Sequence, residues 1–251
     1  MKHRIDCALE GVALSSLDAR IRPIDVQTLA PAQRLVTVDR PFGGQFLLGR
    51  TRRHLTVRVL LRIEEYSVTT RRDIWQRISA WAARGGIFTA TDRPGQQLQV
   101  TCTALPALSA LMWLDTLALE FTAHAIPYWE DAQPSSITIT GAGVLTLPGT
   151  AEGCPVSCTV TNTGDAPLTT LSLRAGETAM TFDKLSIPAG GAFCLTDGGT
   201  LLSAAAEGES VLLRRLEESD DQLLASPGEN AVSVEADGTV SAVFTARGRY
   251  L

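Results

Sequence analysis

Apolar and polar residues alternate with period two from His54 to Glu64: Leu55, Val57, Val59, Leu61 and Ile63 fall on one side, Thr56, Arg58, Leu60, Arg62 and Glu64 on the other. Successive strand residues point to opposite faces, so this pattern predicts a half-buried strand longer than ten residues. Trp113 to Ala123 reads the same way, with Leu117, Leu119 and Phe121 against Thr116, Glu120 and Thr122, and both strands line one core. A helical period intervenes from Thr70 to Arg84, where Ile74, Trp75, Ile78, Trp81 and Ala82 form one apolar stripe. Thr70 with Asp73 predicts a capping box at its start, and Gly85-Gly86 a positive-φ stop at its end. Trp75 and Trp81 are assigned to packing against a sheet. Upstream, Gly43, Gly44 and Gly49 punctuate PFGGQFLLGR, which reads as a turn or hairpin tip and not a phosphate loop, since no GK[ST] follows. Phe42 and Phe46 are either contact residues or anchors of the hairpin in the core.

After Pro127-Tyr128-Trp129 the polar stretch EDAQPSS reads as a domain linker. Beyond it short alternating runs recur: Ile137/Ile139, Val156/Cys158/Val160, Leu171/Leu173, Val232/Val234 and Val240/Ala242/Phe244. Turn chemistry separates them at Asn162-Thr163-Gly164-Asp165, Asp197-Gly198-Gly199 and Asp237-Gly238. Many short strands without a long helix predict a β-sandwich. The expected division is residues 1–132, β-rich with one helix, and 133–251, a sandwich. Charge divides at the same place: the first segment carries 16 basic and 13 acidic residues, the second 6 and 14.

Composition narrows the chemistry. A net charge of −5 demands neither nucleic acid nor membrane, and five cysteines (Cys7, Cys102, Cys154, Cys158, Cys194) without a CxxC pair suit neither a disulfide framework nor a zinc ribbon. MKHRIDCALEG has no apolar signal-peptide region and no run approaches a membrane span, so neither export signal nor membrane segment is expected. His3, His54 and His124 lack partners at metal-ligand spacing, and there is no GxSxG, P-loop or GxGxxG context. Glu64-Glu65 and Asp220-Asp221 are neighbours that point apart, so neither makes an acid/base couple. The run Glu217, Glu218, Asp220, Asp221 lacks calcium-loop register and reads as a solvated loop. Arg52-Arg53 and Arg71-Arg72 suit phosphates or salt bridges at a subunit boundary. No catalytic, cofactor-binding or metal-ligating residue is therefore assigned.

Taken in order, the segments resemble the distal tail (Dit) proteins of long-tailed phages and prophages. The resemblance rests on the glycine hairpin at Gly43-Gly44, the strand Arg52 to Ile63, the helix from Arg71/Arg72 to Trp81, the strand Leu117 to Ala123 and the Pro127-Tyr128-Trp129 exit. It continues through VTNTGDAPL (160–168), LSIPAGG (185–191) and SPGENAVSVEADGTV (226–240), ending at Arg249-Tyr250. It implies a mainly β fold, with an N-terminal ring-forming domain carrying one helix and a C-terminal galectin-like β-sandwich. It also implies a non-enzymatic virion component without cofactors, made in the bacterial host cytoplasm. Such proteins form a hexameric hub ring joining the tail tube to baseplate or tip proteins and contacting tape-measure-associated proteins. DNA passes through the channel without specific binding, and no membrane is involved. Alternatives are a carbohydrate-binding module, which the few aromatics after residue 133 (Phe182, Phe193, Phe244, Tyr250) disfavour, a hydrolase with dispersed catalytic groups, and another tail subunit such as a tube or baseplate protein.

Overall fold

The computed structural model describes residues 5–29, 32–40, 45–106, 116–197 and 202–250. The chain divides into two compact units, Met1–Trp129 and Glu130–Leu251.

The first unit is built on β1 (Cys7–Leu9), β2 (Val12–Ala13), β3 (Ile21–Thr28), β4 (Ala32–Asp39), β5 (Gln45–Ile63), α1 (Val68–Ala82), β6 (Gly86–Ala90), β7 (Gln96–Ala104) and β8 (Leu117–Ala123). Its sheet runs in the order β2-β1-β6-β7-β8-β5-β3. The predicted alternation holds: Leu55, Val57, Val59, Leu61 and Ile63 are buried, and Leu55, Val57, Val59 and Leu61 lie opposite Ala123, Phe121, Leu119 and Leu117 of β8. Trp113 lies outside the described residues. On this apolar face α1 packs Ile74, Trp75, Ile78, Trp81 and Ala82. Trp81 meets Phe121 edge-on at 5.8 Å between centroids, and its indole N–H donates to the Val12 carbonyl at 2.9 Å, so both tryptophans are core residues as expected.

The helix begins earlier than its sequence signal. Ser67, not Thr70, is the N-cap: its hydroxyl accepts from the Thr70 N–H at 3.4 Å, and Glu65 accepts from the Tyr66 and Ser67 N–H groups. Thr70 and Asp73 are interior residues, so the predicted capping box does not form. At the other end Gly85 (φ +60) and Gly86 (φ +108) take the left-handed conformation foreseen for them.

The strand β9 (Trp129–Asp131) spans the boundary, and the second unit continues with β10 (Ser135–Ile139), β11 (Ala142–Leu147), β12 (Cys154–Asn162), β13 (Leu171–Ala175), β14 (Thr178–Phe182), β15 (Ala192–Asp197) and β16 (Leu202–Ala206). It ends with β17 (Glu209–Ser210), β18 (Leu224–Ala225), β19 (Gly228–Ala236), β20 (Val240–Ala246) and β21 (Arg249–Tyr250). One sheet follows β10-β20-β12-β15-β16-β17 and the other β11-β19-β13-β14. Their inner faces share one core, in which Phe182 of β14 meets Phe193 of β15 at 4.9 Å, the mutual burial expected of two packed antiparallel sheets. The β14 edge is closed by a loop: Asp220 accepts from the Ala179 N–H, Ser219 from the Thr181 N–H, and the Leu216 N–H donates to the Thr181 carbonyl. Asp131 receives the Tyr250 hydroxyl at 3.0 Å, while its carbonyl accepts from Arg247.

Two buried asparagines organise the loops that carry the sequence resemblance. Asn162, 1% exposed, donates through Nδ2 to the carbonyls of Ala166, Ile187 and Pro188 and accepts from the Gly164 N–H, tying VTNTGDAPL to LSIPAGG. Asn230 does the same within SPGEN, donating to the Leu145, Ser226 and Gly228 carbonyls and accepting from the Ser226 N–H. These motifs hold turns in place. The Asp197-Gly198-Gly199 turn lies largely outside the described residues.

Candidate assembly interface

β5 changes character along its 19 residues. Within the sheet it pairs with β8 over Leu55 to Leu61 and, on its other side, with β3 over Val57 to Ile63; from Gln45 to His54 it pairs with β4 alone. Ten residues beyond the sheet, at about 3.3 Å each, give a two-stranded arm of about 33 Å. Among the described residues neither long edge of this arm is paired, leaving the backbone groups that invite a further strand.

Alternation places Val36, Val38 and Arg40 on one face of the arm, and Phe46 lies directly across from Val38. Val36, Val38 and Phe46 are 41%, 50% and 51% exposed, and the Arg40 guanidinium sits 3.9 Å from the Phe46 ring centre. A bulge on β5 ejects Leu48 from the ladder, leaving it 65% exposed, and Leu35 adds 55% on the opposite face. Five apolar side chains so exposed on one ribbon lie on its surface rather than in a core. Phe46 is thus a surface residue; Phe42 and the Gly43-Gly44 tip lie outside the described residues. Gly49, read as part of a turn, lies instead within β5 beside the bulge. Five arginines against one aspartate between residues 32 and 53 make the ribbon strongly basic.

The other candidate residues are occupied structurally. Glu64 pairs with Arg22 at 3.0 Å and Glu65 with Arg20 at 2.7 Å, so the two carboxylates have separate partners. The Ser67 N–H, and then Arg20, hold the Glu65 carboxyl below the usual range. Together with Arg62, Ile63, Tyr66 and Arg71 they line a cleft of about 350 Å³. Asp18 binds both Arg20 and Arg77, and the Arg20 hydrogen bonds hold it down at about 2. In the acidic run Asp221 pairs with Arg215 and Asp220 holds β14. All five cysteines are free; burial, reinforced by Asp6 and Asp92, pushes the Cys7 thiol far up. Among the described residues no three His, Cys, Asp or Glu side chains gather around a metal-sized space, and no helix is long and apolar enough to cross a membrane. Phe182, Phe193 and Phe244 are all fully buried, so none offers a platform to a sugar.

No protein-family model matches the chain, and no curated protein does. Solved structures do. The crystal structure of the Dit (gp 19.1) protein of phage SPP1, described as a paradigm of the hub adsorption apparatus in Gram-positive-infecting phages, aligns with a TM-score of 0.67 at 12% identity, over 97% of this chain and 98% of that one. A chain of the phage P2 baseplate, in its activated conformation with Ca, aligns over 97% and 98% at 10% identity with a TM-score of 0.47. The same baseplate with Sr gives 11% identity, 97% of each chain and 0.46. The likeness to SPP1 Dit bears out, at the level of fold, the resemblance drawn from the sequence.

Proposed function

We propose that this chain is a structural, non-enzymatic component of a phage or prophage tail tip. The observation that carries the reading is the likeness of fold to SPP1 Dit along nearly the whole chain. In this reading the first 132 residues build a hexameric hub ring, and the sandwich after residue 133 serves partners at the tip. The ring joins the tail tube to baseplate or tip proteins and lets DNA through without specific contacts. A closed ring of identical subunits requires a heterologous interface, in which one surface meets a different one on the neighbour. The arm formed by β4 and β5 supplies such a surface: an exposed apolar strip and unpaired strand edges, which docking on a neighbouring subunit would cover.

The test is the assembly state of the purified chain from low to high concentration, by light scattering and negative-stain microscopy, alone and with the tail proteins encoded beside it. A hexamer of 26.8 kDa chains has a mass of about 160 kDa. The paired change Phe46→Ser and Leu48→Ser, and deletion of Phe42 to Leu47, should both abolish rings while leaving the circular dichroism spectrum unchanged. Rings that persist in both variants refute the role given to the arm. A parent chain that stays monomeric under every condition refutes the ring itself.

A further inference from the structure

On the face of the sheet away from α1, the opposed residues of β5 and β8 are Thr56 with Thr122 and Arg58 with Glu120. Directly opposed side chains meet there: Arg58 and Glu120 form an ion pair at 2.6 Å. Leu55 lies opposite Ala123, so one further step of the register sets His54 against His124 on this same face. The two imidazoles stand 5.8 Å apart between centroids, tilted by 49°. His124 is exposed and His54 half-buried, so the pair is open to solvent.

That spacing has a chemical meaning. An imidazole nitrogen lies about 1.1 Å from its ring centre, and with Zn–N distances of about 2.0–2.1 Å two histidines on one ion bring their centroids to about 5–6 Å. We propose that His54 and His124 form a two-imidazole site for a late divalent transition metal, with Zn²⁺ as the reference ion. Imidazole suits Zn²⁺, Cu²⁺ and Ni²⁺, whereas Ca²⁺ and Mg²⁺ require oxygen ligands, and no carboxylate joins this pair among the described residues. Two protein ligands leave the remaining positions to water or to a donor from another molecule. The site lies where β5 leaves the sheet for the arm: His54 pairs with Ala32 of β4, and Arg53 is skipped at a bulge before Gln33 meets Arg52. A bound ion therefore cross-links the root of the arm to β8 and, by binding only the folded chain, stabilises the first unit by mass action.

The measurement is Zn²⁺ titration of the full chain by calorimetry in a His3→Ala background, which removes the remaining histidine as a competitor. One equivalent should bind; His54→Ala and His124→Ala should each weaken it about tenfold or more, and the double change should do no more than either single one. Ca²⁺ and Mg²⁺ should give no saturable signal. As a readout independent of variants, Zn²⁺ should slow diethylpyrocarbonate modification of both His54 and His124 in the unaltered chain, followed by mass spectrometry. Absence of saturable binding, single variants that bind within about twofold of the parent, or unprotected histidines would each overturn the site.

Discussion

Replacing Asn162 with alanine tests whether the family-like motifs are structural ties. Its amide spreads two N–H donors over three carbonyls at 2.8, 3.0 and 3.1 Å and accepts one N–H at 3.0 Å. Three such bonds at about 1 kcal/mol each set an upper range of about 3 kcal/mol. The Ile187 and Pro188 carbonyls keep a second donor, from the Leu168 and Gly191 N–H groups at 2.9 Å, so the change does not orphan them. Ala166 and Gly164 lie in a part-buried loop that water can reach. The expected loss is therefore about 2–3 kcal/mol. Asn162→Asp should lose more at neutral pH, because it keeps the acceptor but turns a carboxylate toward three carbonyl oxygens. Those oxygens raise the folded-state pKa of the new carboxyl, so its stability deficit should shrink as pH falls through that pKa. Urea unfolding can assign the effect, because all four tryptophans, at 75, 81, 113 and 129, precede the sandwich. Tryptophan fluorescence thus follows the first unit and far-ultraviolet circular dichroism both. The dichroism transition should move to lower urea whether or not the fluorescence transition moves with it. A loss below about 0.5 kcal/mol would refute the claim that Asn162 organises this loop system.

Trp81→Ala should cost about 3–5 kcal/mol in the fluorescence-detected transition, since it empties a site that is 3% exposed and removes the indole donor from the Val12 carbonyl. Asp18, depressed to about 2 by its arginine hydrogen bonds, contributes stability that is complete above its unfolded pKa of about 3.9 and is lost as pH falls through about 2. The melting-temperature advantage of the parent over Asp18→Asn should accordingly be full above about pH 4 and shrink toward pH 2, as scanning calorimetry can read. Gly149 has φ +123, and a Cβ there would sit 2.6 Å from the Arg249 carbonyl oxygen, whereas Gly153 (φ +71) has open space around it. Gly149→Ala should therefore destabilise the sandwich by more than the roughly 1–2 kcal/mol expected of Gly153→Ala in parallel urea melts.

The elements legible in the sequence were those whose burial follows their own period. Leu55 to Ile63 and Leu117 to Phe121 alternate because β5 and β8 sit centrally in a sheet covered on one face, and α1 displays its stripe because that stripe covers them. Strands β3, β6 and β7 carried weaker signals. IRPIDVQT contains Pro23 and bulges before Asp25, which breaks the alternation, and ladder irregularities do the same in β7. The start of α1 was misplaced because Ser67 is followed by Val68, Thr69 and Thr70, with no acidic residue at the third helical position to complete a capping box. The asparagine ties had a faint signal: Asn162 continues the inward phase of Cys154, Val156, Cys158 and Val160, where a polar residue requires partners.

The arm was hidden for a different reason. Phe46, Leu48, Val36 and Val38 have the composition of a core strand, and the sequence left Phe46 open between core anchor and contact residue. What decides the matter is which strands flank β5, a property of sequence-distant pairings: β3 and β8 stop at Thr28 and Ala123, and from there one continuous strand has only β4 beside it. The same residue types are thus interior at one end of β5 and exposed at the other, without a change in local propensity. Exposed apolar ribbons with open edges are an aggregation liability for an isolated subunit, so their retention makes sense where a partner covers them. A surface of that kind leaves no motif behind, because its specificity lies in where the neighbouring strands end.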